Sequence, residues 1–475
     1  MATTDNQIQY AGEYKVEKLK LHTARGSYDL TKTFVQIDLF ENIFSHSMSG
    51  SLIFIDTDNL VINSPIVGQE YLELKISSPG IAGADSIDFS ENVLSVYKIG
   101  YVSDVSKSSQ MIEVHLISPE FLKNQRLRVS KSYQVKTNDE IIEDVLTNTE
   151  YIDTKKNVFI EPTKGLRNII SPNYHPFDLI KILTTESNNT TFINSEINFH
   201  VFYENTQGYH FKSLSHLFSR PTNGDFHCGD VSTLEKDAKD VDDFVRVIQH
   251  QRSNSNDMLQ NIVSGLLGSN LTIYDLYNKK YENYDYKYFD SFNEGFPRID
   301  DNPVYYDDFI DNKNRTVGDF PNARIHLNSR SGQVKNKSFT QKVDSDDGVG
   351  DVSSLGIGKQ LLARRAKFAE LSSLINYNIK VTGHTSMRVG EMINFSVPTV
   401  GHEHGEGGED KYLSGRYLVK QLRHTFYRSP KKHEVAMSIS KDSLGSSLPR
   451  GDIVQPEKTG NAFITRVGGS DYVGM

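Results

Sequence analysis

A two-residue alternation of apolar and polar side chains governs the first 120 residues. Leu19 and Leu21 alternate with Lys18, Lys20 and His22, and Val35, Ile37 and Leu39 with Gln36 and Asp38. Leu72, Leu74 and Ile76 alternate with Glu73 and Lys75, and Ile112, Val114 and Leu116 with Glu113 and His115. That period turns one face of a strand to a core and the other outward. Asp56–Asn59, Ser64-Pro65 and Ser78-Pro79-Gly80 punctuate the runs. Several short strands at such spacing predict a barrel or a sandwich.

The period then changes. Thr137 and Glu140 fit a capping box, and Ile141, Ile142, Val145 and Leu146 follow on one helical face. Pro176 suits a first helical turn, with Phe177, Ile180 and Leu183 as its stripe. Residues 119–190 therefore read as a small mixed α/β domain. Strands return at Phe199–Tyr203 and Tyr209–Phe211 across a turn at Gln207-Gly208. Further strands are expected at Ile379–Val381, Glu391–Val397, Tyr417–Phe426 and Val435–Ile439.

Between these groups the composition shifts. The formal net charge of the 475 residues is −9, and Asp225–Asn322 alone carry 19 acidic and 10 basic residues. The rest of the chain is balanced. This segment predicts a helix over Met258, Leu259, Ile262, Val263, Leu266 and Leu267, closed by Gly268. Eight Tyr follow, from Tyr274 to Tyr306. They are expected to pack a loop-rich insertion against the body; a carbohydrate- or partner-binding surface is the alternative. Residues 328–354 read as a flexible loop. A long amphipathic helix follows, with Leu361, Phe368, Leu371 and Ile375 as its stripe. From Leu448 onward the tail lacks any period and reads as an exposed arm.

Composition excludes several classes. One Cys leaves no disulfide framework and no multi-cysteine metal site. The lack of a basic surplus argues against a general nucleic-acid binder. No signal peptide and no apolar run long enough to span a bilayer is evident, so a protein without membrane anchoring, made in a cytoplasm, is expected. Hydrophobic residues are only 37%, as expected of a subunit that hides surface against copies of itself.

Motifs for chemistry fail one by one. Gly356-Ile-Gly-Lys-Gln360 departs from a phosphate loop, with Ser353 at the first Gly and Gln360 at the hydroxyl position. Cys228 follows His227 directly, and neighbours in sequence do not make a nucleophile–base pair unaided. His402 and His404 lie in a Gly/Glu loop whose spacing matches no metal motif. No catalytic, cofactor-binding or metal residue is assigned, and no enzymatic activity is expected.

Five segments in order resemble the central hub protein of contractile phage tail baseplates of the T-even type. They are Met48–Asp56 with Asn59-Leu60 and Pro65–Glu70; Ser118–Glu120 with Asn124 and Arg128–Tyr133; Ile169–Asn173 with Pro176–Asp178; Phe202–Asn205 with Gly208–Leu214; and Val389–Glu391 with Pro398, Leu413–Leu418 and His424–Phe426. The positions carrying it are Gly50, Asp56, Pro65, Gly68, Glu70, Tyr203, Glu204, Gly208, Phe211, Ser213, Gly390, Pro398, Gly415 and His424. The resemblance spans residues 15–215 and 378–445. The glycines sit at strand turns and Pro65 and Pro398 at strand ends, where those residues fit.

The resemblance implies an α+β, β-rich fold with two tube-like β-barrels plus mixed α/β domains, assembling as a ring-shaped homotrimer. The first barrel would be 1–118. The second would be discontinuous, 191–222 plus 377–445, with 223–376 as an acidic insertion and 446–475 as an arm. Three chains with two barrels each would match a sixfold tail tube above and a trimeric spike protein below, with baseplate wedge proteins alongside. DNA would pass through the lumen, and a lumen without basic surplus would let it slide. The protein would reside in the virion tail after assembly in the host cytoplasm. A hub of a secretion system or tailocin-like device is the alternative, and a cell-wall glycan hydrolase acting through the insertion a more distant one.

Overall fold

The computed structural model describes residues 11–57, 60–79, 85–107, 109–189, 199–228, 246–253, 256–275, 279–294, 296–307, 315–330, 356–397, 399 and 409–449. The alternating runs form β1 (Lys15–Thr23), β2 (Gly26–Asp29), β3 (Phe34–Asn42), β4 (Ser49–Asp56), β5 (Tyr71–Ser77), β6 (Ile87–Ser106) and β7 (Ser109–Ile117). They pair antiparallel in the order β3-β4-β7-β6-β5-β1-β2. Leu19, Leu21, Ile37, Leu39, Leu72, Leu74, Ile76, Ile112, Val114 and Leu116 are all buried in one core. Their period-2 partners remain on the outer face, as the alternation requires.

The middle unit holds β8 (Val129–Lys136), β9 (Asn157–Ile160), β10 (Thr163–Lys164), β11 (Arg167–Tyr174), β12 (Asn188–Asn189), β13 (His200–Asn205) and β14 (Gly208–Ser213). Helices span Pro119–Arg126, Asn138–Thr147 and Pro176–Thr185. The capping box forms: Thr137 Oγ1 accepts from the Glu140 N–H, and Glu140 accepts from the Thr137 N–H at 3.2 Å. The predicted stripes of both helices share a core with Phe202, Tyr209 and Phe211. β13 and β14, read from the sequence as barrel strands, pair instead with β9 in a sheet of their own. The reason lies in β13, whose six residues are all buried. Phe202 enters the middle core while Phe199, Val201 and Tyr203 enter the next one.

The remaining strands are β15 (Thr222–His227), β16 (Val247–Ser253), β17 (Gly268–Asp275), β18 (Lys280–Lys287), β19 (Ile325–Arg330), β20 (Ile375–Thr382), β21 (Met392–Ser396), β22 (Gly415–Tyr427) and β23 (Lys432–Lys441). β18-β17-β19 make a separate sheet within the acidic insertion. β16-β20-β23-β22-β21-β15 form the second half of the main sheet. The helix that begins at Met258 ends at Ser264, with Gly265 left-handed at φ 81° as its cap, and Gly268 opens β17 instead. The segment around Gly356 is the start of the helix Gly356–Ser373, a helical turn rather than a loop.

The sequence predicts two barrels, whereas the described strands join into one thirteen-stranded, largely antiparallel sheet. Its ladders close no ring among the described residues. The joint is β22. At thirteen residues it runs about 43 Å, long enough to serve two neighbours along one edge. Gly415–Leu418 pair with β21, and Gln421–Tyr427 pair with β3. A register shift between Val419 and Gln421 separates the two, and there the Ile43 N–H donates to the Lys420 carbonyl. One isolated bridge, His227 to Arg246, links the ends of β15 and β16.

Asp38 secures this joint. It accepts from Thr425 Oγ1 at 2.8 Å, Arg423 Nε at 3.0 Å and Gln36 Nε2 at 2.6 Å. Replacing it with Ala leaves a buried hydroxyl without its acceptor, and is expected to lower unfolding free energy by about 1–3 kcal/mol in a urea titration.

Candidate functional site: the buried junction and the outer sheet face

Four of the motif positions, Tyr203, Glu204, Gly208 and Gly390, lie where the three units meet. Glu204, at the end of β13, accepts from the Met48 N–H at 2.8 Å, Ser118 Oγ at 2.8 Å and Lys156 Nζ at 2.6 Å. Lys156 also reaches Glu120 at 2.8 Å, which accepts from Thr154 Oγ1 at 2.9 Å. All three charged groups are buried. Burial pushes the Glu204 carboxyl up, against the pull of Lys156. Burial also opposes the charge on Lys156, but Glu204 and Glu120 outweigh it and hold the ammonium above the usual lysine value. Glu41, on β3, bridges the same units. It accepts from the Thr206 N–H and the Val389 N–H, each at 2.9 Å. Burial raises its carboxyl to about 7.

Two glycines allow the contacts. A Cβ on Gly208, where φ is 140°, would lie 2.2 Å from the Asn157 carbonyl oxygen in the β9–β14 ladder. A Cβ on Gly390, where φ is 77°, would lie 2.2 Å from Tyr203 Oη. Tyr203 is fully buried and stacked on His210, and the backbone of β9 is fixed in its ladder. Gly208→Ala is therefore expected to lower stability by about 2–4 kcal/mol, read as a fall in Tm by calorimetry. A fall no larger than that of an exposed Gly26→Ala would contradict this account.

The other motif positions are local. Glu70 closes its turn by accepting from the Val67, Gly68 and Gln69 N–H groups at 2.8–3.0 Å. Pro65 is exposed ahead of it, and Asp56 is buried at the end of β4. Gly50 lies opposite Leu39 on β3. Phe211 stacks on His200 with centroids 4.8 Å apart. Ser213 caps the helix Leu214–Ser219 by accepting from the His216 N–H at 3.2 Å. Gly415 opens β22 beside Lys441. His424 shares a 3.0 Å hydrogen bond between its Nδ1 and His433 Nε2, and its Nε2 meets the Met387 carbonyl at 3.1 Å. Pro398, His402 and His404 lie outside the described residues, as does most of the 446–475 arm.

Sequence reasoning missed the clamp on the acidic insertion. Lys367 pairs with Glu370 at 3.0 Å and with Asp442, and Arg298 pairs with Glu370 at 3.2 Å. Lys441 pairs with Asp300 at 2.7 Å. The insertion's Tyr split two ways: Tyr286, Tyr288 and Tyr305 are buried, while Tyr274, Tyr281 and Tyr306 are exposed. Cys228 Sγ lies 3.3 Å from His250 Nδ1, and burial pushes its thiol up to about 11, so it stays protonated at neutral pH.

The outer face of the main sheet is polar in rows. Gln251, Asn378, Ser438, Gln421 and Asn42 register side by side across β16, β20, β23, β22 and β3. The next row is Gln249, Lys380, Ala436, Arg423 and Phe40. Its two cations are matched by Glu434, 2.5 Å from Lys380, and Asp38, 3.0 Å from Arg423. The two rows line a shallow groove of about 520 Å³.

No family model matches the sequence, and no curated protein matches it. Solved structures do match in fold. One is the 43 kDa tail protein of prophage MuSo2 from Shewanella oneidensis, at 11% identity and TM-score 0.50, covering 90% of this chain and 99% of that one. A tail protein from Neisseria meningitidis MC58 is similar at 9% identity and TM-score 0.49, over 92% of this chain and 100% of that one. A component of the Escherichia coli type VI secretion system follows at 9% identity and TM-score 0.41, covering 90% and 76%. The Shewanella match, running the length of both chains, is one of fold. Among the described residues no helix is long and apolar enough to cross a membrane.

Proposed function

We propose that this protein is a structural, non-enzymatic hub of a phage tail baseplate. The observation that carries the reading is the end-to-end match in fold to a prophage tail protein, together with a main sheet built as two halves joined through β22. In this reading each half is one tube-like β-barrel unit, and three copies supply six around a tail tube. The His227–Arg246 bridge supports closure of the second half. The threefold underside meets a trimeric spike protein, and wedge proteins pack outside.

The outer sheet face would line the channel. Its amide row carries no charge, and the cations beside it are already matched by carboxylates. Such a wall offers passing DNA hydrogen-bonding groups without a run of free cations to hold it. Open sheet edges would pair between copies, which removes their liability to disordered association.

Light scattering coupled to size exclusion, with cryo-EM of intact tails, tests the reading. A particle of three 53.7 kDa chains on the tail axis is expected. A monomer in solution and no density between tube and spike would overturn it.

A further inference from the structure

Between the insertion and the middle unit lies a pocket of about 390 Å³ that the hub reading does not use. That volume suits a ligand site. Leu271 of β17 and His326 and Leu327 of β19 form one wall, and Leu361, Arg364 and Phe368 of the helix Gly356–Ser373 form the other. The walls are apolar, yet every charge at the pocket is positive.

Arg364 donates to the His200 carbonyl at 2.7 Å, and its guanidinium sits 4.5 Å from the Phe368 ring centroid. Among the described residues it forms no ion pair. Its pKa falls to about 10 through burial alone, with no carboxylate to restore it. His326 Nε2 is buried and has no hydrogen-bond partner. Burial, then Arg365 and Arg324, disfavour a proton on that ring. Arg365, also at the pocket, is exposed. This cationic spot draws on residues 323–376, which carry nine basic and five acidic residues, and not on the acidic stretch Asp225–Asn322.

A half-buried cation without a counter-charge carries a desolvation cost, and an arriving carboxylate offsets it. The apolar walls ask for an aliphatic body next to it. At the rim, Leu327 is 79% exposed. Among the described residues β19 pairs only with β17 and is the edge strand of its sheet. An edge strand accepts an extended backbone.

We infer that the pocket receives an extended segment of a partner protein that presents a carboxylate flanked by aliphatic side chains. The carboxylate accepts from Arg364, Arg365 and the neutral His326 Nε2–H, and the aliphatic groups cover Leu361, Phe368 and Leu327.

The chain has no Trp, so indole emission from a probe peptide is read without background. The probes are Ac-VEWEL-NH2 and its basic counterpart Ac-VKWKL-NH2, titrated against the full chain. The acidic peptide is expected to bind about tenfold or more tightly than the basic one. Arg365→Glu and Leu327→Asp, both exposed positions, are each expected to weaken it about tenfold with unchanged circular dichroism. Equal binding of the two peptides, no binding of the acidic one up to millimolar concentration, or binding that neither variant alters overturns the inference. So does sedimentation with phosphatidylglycerol vesicles that Arg365→Glu abolishes while the peptide stays unbound, which assigns the pocket to lipid.

Discussion

Acidification is expected to unfold this protein between about pH 6 and pH 4. Four buried histidines and the half-buried His384 drive the effect. Burial lowers His200, His210 and His424 to about 3 and His384 to about 4, and holds His433 well below its ordinary value. In the unfolded chain each returns to about 6.5. Below that value the unfolded state binds more protons than the folded one, so stability is complete above pH 6.5 and falls as pH drops toward the folded values. Each histidine withdraws about 1.4 kcal/mol per pH unit. The set withdraws on the order of 10 kcal/mol by pH 5, comparable to the whole stability of an ordinary domain. Glu41 acts in the opposite sense. Its folded value of about 7 adds stability below the unfolded carboxylate range that is lost as pH rises through 7. Burial raises Glu204 and Glu391 in the same sense, and three carboxyls do not outweigh five imidazoles. A circular dichroism titration from pH 8 to pH 4 checks this, and His200→Phe should move the midpoint down by a few tenths of a pH unit. A fold intact at pH 4, with the wild-type and variant curves superimposed, would count against it.

Lys156→Met is expected to lower unfolding free energy by about 3–5 kcal/mol. The lysine is the single cation between Glu120 and Glu204, and all three are buried. Removing it leaves two carboxylates facing each other out of water. One must take up a proton, and the Met48 and Ser118 donors keep the Glu204 oxygens occupied. Changing Glu120 and Glu204 to Gln in the same chain should recover much of the loss, because the penalty belongs to the unpaired charge rather than to lost packing. Urea titrations of the single and triple variants separate the two causes. A triple variant as unstable as the single one would place the cost in packing.

Much of the fold is legible in the residues because the physics is local. Strict alternation located β1, β3, β5 and β7, since one face of each meets a core and the other does not. Thr137, Glu140 and Pro176 located helix starts for the same reason: a cap is satisfied within one turn. What escaped depends on distant partners. β6 runs twenty residues, but Tyr97–Ser106 are exposed on both faces, so no alternation marks them. β13 is buried on both faces and shows none either. The continuity of the sheet rests on β22 being long enough for two neighbours, which no local pattern records. Among the motif positions, Glu204, Tyr203 and Gly390 were singled out by resemblance. Glu120 lies in the Ser118–Glu120 segment that carries the resemblance, whereas Lys156 and Glu41 complete the junction from two other segments, and nothing in the sequence groups them with it.

The shared strand also sets how force travels. A pull on one half relative to the other, along the strand direction, loads the hydrogen bonds between β22 and β3 in shear, so they resist together rather than opening one at a time like a zipper. Arg423 and Thr425, held by Asp38, act as rivets across that seam. The two halves are therefore stiff against sliding along the strands and yield first by peeling at right angles to them.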